Sequence, residues 1–172
     1  MVSKTFGLAA LEALTALSLT AAPALAADLV TVTTKTLNDT TLKLPDDLPA
    51  SRTLLLLAFH HADLAQLAQW EAGMALTPAQ DNWLEIPVVG ITNPILRHII
   101  LSGMKGKTHS VAERNHRAPL FGDSFALARG FGVSGSQVTV LVVDRQGHIQ
   151  ARVEGGFDSA KARILRDALV AR

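Results

Sequence analysis

Apolar positions along this chain fall into runs whose period changes, and the changes mark its elements. Val30–Thr34 alternates with the two-residue period of a half-buried strand, and Asn38-Asp39 turns it into a second short strand, Thr41–Leu44. Pro45 and Pro49 bracket a polar linker that holds Asp46 and Asp47. Thr53–Phe59 is a continuous apolar run, the pattern of a strand buried on both faces. Asp63 is placed to cap a following helix with Leu64, Leu67, Ala68 and Glu71 on one side. Trp70 and Met74 extend its apolar surface, and Gly73 weakens its end. Trp83–Ile91 reads as a second buried strand, with Pro87 arguing for a bulge or an edge position.

Pro94 suits the first turn of a helix in which Ile95, Leu96, Ile99 and Ile100 form a broad apolar face up to Gly103. Lys105–Arg117 is polar and basic, and Ala118–Phe121 reads as a short strand. Asp123 or Ser124 caps a helix carrying Phe125, Leu127 and Ala128 that stops in the Gly130–Gly132 region. Val138–Val143 and His148–Val153 pair as a hairpin about Gln146-Gly147. Asp158 or Ser159 then caps a last helix with Ile164, Leu165, Ala168 and Leu169 inward. This order predicts an α/β fold: a mixed central sheet with helices on both faces and an extra N-terminal β-hairpin.

Composition narrows the class. The 172 residues are about one domain, and 48% hydrophobic with 18% charged residues describes a folded globule. A net charge of +1 and the absence of Tyr give no footprint for nucleic acid. Met1–Lys4 is a short positive start, Phe6–Leu19 an apolar stretch interrupted by Glu12, and Ala24-Leu25-Ala26 a small-x-small cleavage pattern. We therefore expect a signal peptide over residues 1–26, cleaved after Ala26, a domain over 27–172, and an exported, periplasmic location. An amphipathic N-terminal helix that stays attached is the alternative. The chain has no cysteine. Thiol redox, thiolate metal sites and cysteine nucleophiles are thereby excluded.

The C-terminal stretch FGVSGSQVTVLVVDRQGHIQARVEGGFD runs from one apolar strand through Asp144 and a tight Arg-Gln-Gly turn into a second strand and a helix. It resembles the closing hairpin and helix of the thioredoxin superfamily. The N-terminal hairpin and leader resemble that superfamily's exported TlpA and redoxin-like group. The segment NWLEIPVV…ILRHIILSGMKGK…RAPLFGD is similar to mitochondrial assembly factors that elaborate the same fold. The resemblance spans Val30 to Ala168 and implies a thioredoxin-like domain. In redox members the strand equivalent to Leu54–Phe59 leads into a Trp-Cys-x-x-Cys motif. Here that place reads His60-His61-Ala62-Asp63-Leu64-Ala65-Gln66-Leu67, and the cysteine positions fall near Leu64 and Leu67. Redox members also carry a cis-proline before the closing hairpin, where this chain has Ser136-Gln137-Val138-Thr139. Nucleophile, resolving thiol and substrate-clamping proline are missing together.

Two groups of residues remain as candidates. His60, His61 and Asp63 lie where a strand hands over to a helix, the edge at which open α/β sheets bind ligands. Two imidazoles and a carboxylate suit a divalent metal or acid–base work. Asp63 equally suits a helix cap, and adjacent histidines on an extended strand point apart. The second group is the basic segment. Arg97, Lys105, Lys107, Arg114 and Arg117 stand against Glu113 alone, a net of +4 in a chain that totals +1. Such a concentration suits an acidic partner or an anionic lipid surface, or simply a solvated loop.

The resemblance implies a concave surface at the strand ends built to hold an extended polypeptide. Here it is formed by the His60–Asp63 loop and the Gly135–Val138 loop with Gln137, flanked by Lys105, Lys107, Arg114 and Arg117. The expectation is an exported, non-redox binding or assembly protein without cofactor or metal. It would dock on a protein partner with acidic or membrane-adjacent segments. The alternative is a histidine-based metal-binding protein or an enzyme using His60, His61 and Asp63.

Overall fold

The computed structural model describes residues 28–171, so the expected leader and its cleavage point lie outside the described residues. An antiparallel hairpin comes first, β1 (Val32–Lys35) and β2 (Thr41–Leu44), paired from Val32↔Leu44 to Lys35↔Thr41. The central sheet follows: β3 (Arg52–Ala58), β4 (Trp83–Val89), β5 (Leu120–Phe121), β6 (Thr139–Asp144) and β7 (Ile149–Glu154). Its spatial order is β5-β4-β3-β6-β7. β3, β4 and β5 run parallel and β6 and β7 antiparallel, so the sheet is mixed. Helices α1 (Leu64–Met74), α2 (Pro94–Lys107), α3 (Val111–Asn115), α4 (Ser124–Gly130) and α5 (Ser159–Val170) complete the chain. Among the described residues no helix is long and apolar enough to cross a membrane.

The unbroken run in β3 works because the strand is central and has a core on each side. Leu55, Leu57 and Phe59 pack with Leu84, Ile86, Leu141 and Phe131 under the hairpin and α4. Leu54 and Leu56 pack with Val140, Val142, Leu67, Trp70 and Leu165 under α1 and α5. The two-residue alternation of the strand produces both cores from one run of leucines.

Expected caps form at α4 and α5 but not at Asp63, whose side chain makes no cap bond to α1 and accepts from the Phe59 and His60 N–H groups instead. Asn93 accepts hydrogen bonds from the N–H groups of Ile95 and Leu96, with Pro94 at the first helical position. Asp123 caps α4 through Phe125 and Ala126, and Asp158 caps α5 through Ala160 and Lys161.

Several expectations need correction. Pro87 is not at an edge or bulge: it pairs with Ala58 inside β4. Glu85 exchanges both backbone bonds with the outer segment, Glu85 N–H to His116 O at 2.7 Å and Ala118 N–H to Glu85 O at 2.9 Å. Two residues on, Pro87 turns its missing N–H to the same outer side, ahead of the Val88↔Leu120 pairing with β5. Gly73 does fall at the end of α1, one residue before its last, and it has a packing reason as well: a Cβ there would sit 2.1 Å from Phe157 Cε2. That ring packs edge-on to Trp70 at 5.2 Å. Ala68 and Ile164, expected inward, are exposed. The helix begun at Pro94 runs through Gly103 and Gly106 to Lys107, so part of the expected basic loop is helical. None of α2's residues is fully buried.

Candidate functional site

A cavity of about 550 Å³ opens beside the ends of β3 and β4, between the first turn of α1 and α2. Its origin is local. α1 and α5 cover the central strands, while beside the end of β4 the gap is bounded by α2. Ala58, Pro87, Gly90 and Gly103 then line the gap with little side-chain volume. The walls are mostly apolar and include Phe59, Leu64, Val89, Ile91, Ile100 and Met104.

The floor is ionic. Glu85 shares the Trp83 face of β4 by alternation, and its side chain is only 5% exposed. The backbone bonds that fix residues 116–118 along β4 set Arg117 directly beside it, as the isolated Glu85↔Arg117 bridge. His116 braces this segment by stacking on Trp83 at 4.3 Å, with Nδ1 2.9 Å from Trp83 O. Arg117 Nε lies 3.3 Å from Glu85 Oε2 and Nη2 3.6 Å from Glu71 Oε1 on α1. That Nε is buried and makes no hydrogen bond. Burial pushes the Glu85 carboxyl up to about 8, against the pull of Arg117 and with the help of the Glu71 carboxylate. At neutral pH the carboxyl is therefore mainly protonated and able to donate.

The candidates from the sequence are divided by this geometry. His60 and His61 are exposed and line the cavity. Asp63 is buried below them and accepts from the N–H groups of Phe59 at 3.3 Å and His60 at 3.0 Å, with His60 Nδ1 at 3.4 Å. Lys107 and Arg117 line the same cavity. Lys105 instead pairs with Asp39 at 2.8 Å toward the hairpin. Arg114 donates to Thr108 O and Lys105 O, closing the end of α2. Gln137 stands near Gly155, at the same edge of the sheet as His60 because β6 begins opposite the end of β3 (Leu57↔Thr139), but it does not line the cavity. Among the described residues no three His, Asp or Glu side chains converge as metal ligands. Leu64, near one expected cysteine position, forms cavity wall, and Leu67, near the other, is buried in the α1 core.

Reading by pattern missed Glu85, Met104 and Ile100. The available signal was Glu85 itself, the one charge inside the buried run WLEIPVV, since an acid in a two-sided strand needs a reason.

No family model matches this chain, and no curated protein matches it in sequence. Solved structures do match in fold. The exposed lipoprotein thioredoxin of Streptococcus pneumoniae superposes with a TM-score of 0.52 at 19% identity, covering 80% of this chain and 97% of that one. A putative thioredoxin from Neisseria meningitidis gives 0.53 at 15% identity, covering 83% and 90%. The thioredoxin domain of a thiol-disulfide oxidoreductase from Bacteroides vulgatus gives 0.50 at 11%, covering 85% and 99%. The fold is thioredoxin-like, and the chain that adopts it has no cysteine.

Proposed function

We propose that this chain is an exported, non-redox binding protein that uses a thioredoxin-like frame to hold an apolar ligand in the cavity beneath α2. The observation that carries the reading is the cavity itself. Its volume lies in the range of small-molecule sites, its walls are apolar, and a few polar groups converge at one end. Thiol exchange is closed to it on chemical grounds, since it needs a thiolate.

Gly103 supplies the test. It lines the cavity, and a Cβ built there meets nothing within 4 Å. Gly103→Leu adds about 1 kcal/mol of helix propensity while filling the opening. Titration with the neutral fluorescent probe N-phenyl-1-naphthylamine should show saturable 1:1 binding to the wild type and its loss in Gly103→Leu. No saturable binding, or equal binding by the variant, would overturn the reading.

An assembly role is carried by α2. Ile95 and Ile99 are 70% and 59% exposed on a helix without a single acidic residue. We expect a partner crosslinked in the native envelope to be captured less well by a Lys107→Glu, Ile99→Asp variant. Unchanged capture would remove α2 from the docking surface.

A further inference from the structure

The cavity's charges are unequal in number. Arg117 and Lys107 line it as cations, and Glu85 is its one carboxyl group. A guanidinium carries five N–H donors in a rigid fork matched to a carboxylate. At Arg117 that fork is underused: Nε is buried without a hydrogen bond, and Glu85 Oε2 lies 3.3 Å away outside bonding geometry. Nε itself is closed off, but the side chain is 34% exposed where it lines the cavity, so an entering anion can meet the outer N–H groups of the fork. Above this head site the walls are aliphatic, formed by Leu64, Val89, Ile91, Ile100 and Met104. A polar floor below an apolar shaft fits a molecule with an anionic head and a hydrocarbon tail.

We propose that the cavity binds a medium-chain aliphatic carboxylate, its head on Arg117 and its tail along Ile100 and Met104. The proposal rests on the cavity being the ligand site. Glu85 acts as the second donor: protonated, it hydrogen-bonds the same anion; ionised, it repels it. Its titration near 8 sets the range. The charged and titratable groups facing it are Arg117, Glu71 from α1, Lys107 from α2, and His60 and His61 at the rim. All are shared by the wild type and Glu85→Gln, so comparing the two isolates Glu85.

The experiment is calorimetric titration with decanoate, decanol and decyltrimethylammonium at pH 7 and pH 9. Decanoate should bind the wild type about tenfold or more tightly than decanol, as expected for a charge-assisted pair. The ammonium compound should bind most weakly. Ionisation of Glu85 should weaken decanoate about tenfold between pH 7 and pH 9. Glu85→Gln should keep the preference for decanoate and lose that pH dependence. Decanol binding as well as decanoate, or preference for the ammonium head, would overturn the proposal. An equal pH dependence in both proteins would overturn the role of Glu85. If the neutral naphthylamine probe binds but decanoate has no advantage, the carboxylate proposal fails and the cavity reading stands. If neither binds, both fail.

Discussion

Replacing Glu85 by Gln tests whether burial controls the floor of the cavity. The folded protein holds Glu85 protonated up to about 8, whereas the unfolded chain releases that proton near 4.5. The native state therefore binds one more proton than the unfolded state between those values, and stability falls as pH rises through them. Stability from this group is complete below the unfolded value and lost above the folded one. At about 1.4 kcal/mol per pH unit, the interval from 4.5 to about 8 sets a ceiling of about 5 kcal/mol. Gln has nearly the same shape and no such titration, and Glu71 remains beside Arg117 in the variant. Urea unfolding at pH 5, 7 and 8.5 should find the variant and wild type nearly equal at pH 5. The variant should then gain steadily, by about 2 kcal/mol or more at pH 8.5, since ionising the buried carboxyl costs desolvation that Arg117 offsets only in part. Parallel stability curves, or a variant weaker than wild type at pH 8.5, would refute the assignment of a buried, proton-holding carboxyl.

Two further substitutions probe the frame around the site. Gly73→Ala should lower the thermal midpoint despite a helix-propensity gain of about 1 kcal/mol, because its methyl displaces Phe157 from Trp70. Overpacking of this kind costs about 1–3 kcal/mol, so a raised midpoint in calorimetry would contradict the packing. Asp63→Ala should cost about 1–3 kcal/mol in denaturant unfolding by stripping the acceptor from the Phe59 and His60 N–H groups. Asp63→Asn should recover most of it, and equal losses in both would show that the bonds contribute little.

What the sequence made legible follows from where local chemistry rules. Pro94, Asp123 and Asp158 announce helix starts because the chemistry of a helix start depends on residues two or three positions apart. The leucines of β3 announce a central strand because alternation then buries both faces. Of the site, His60, His61, Lys107 and Arg117 were legible as candidates, but not what joins them. Its floor joins Glu85 to Arg117 across a parallel bridge 32 positions apart in the chain, and no local pattern encodes that register. The apolar period of α2 was readable, but not that Ile95 and Ile99 would face outward, since period alone does not say what covers a face. Lys105 and Arg114 look like free cations in the sequence, yet one pairs with Asp39 and the other closes a helix end.

Amide chemical-shift mapping of the protein during titration with decanoate locates binding directly. Shifts should saturate together and concentrate at Ala58–His61, Val88–Ile91, Ile100–Lys107 and Arg117, the segments that enclose the cavity. Shifts confined to β7 and α5, or scattered without saturation, would contradict a ligand site beneath α2.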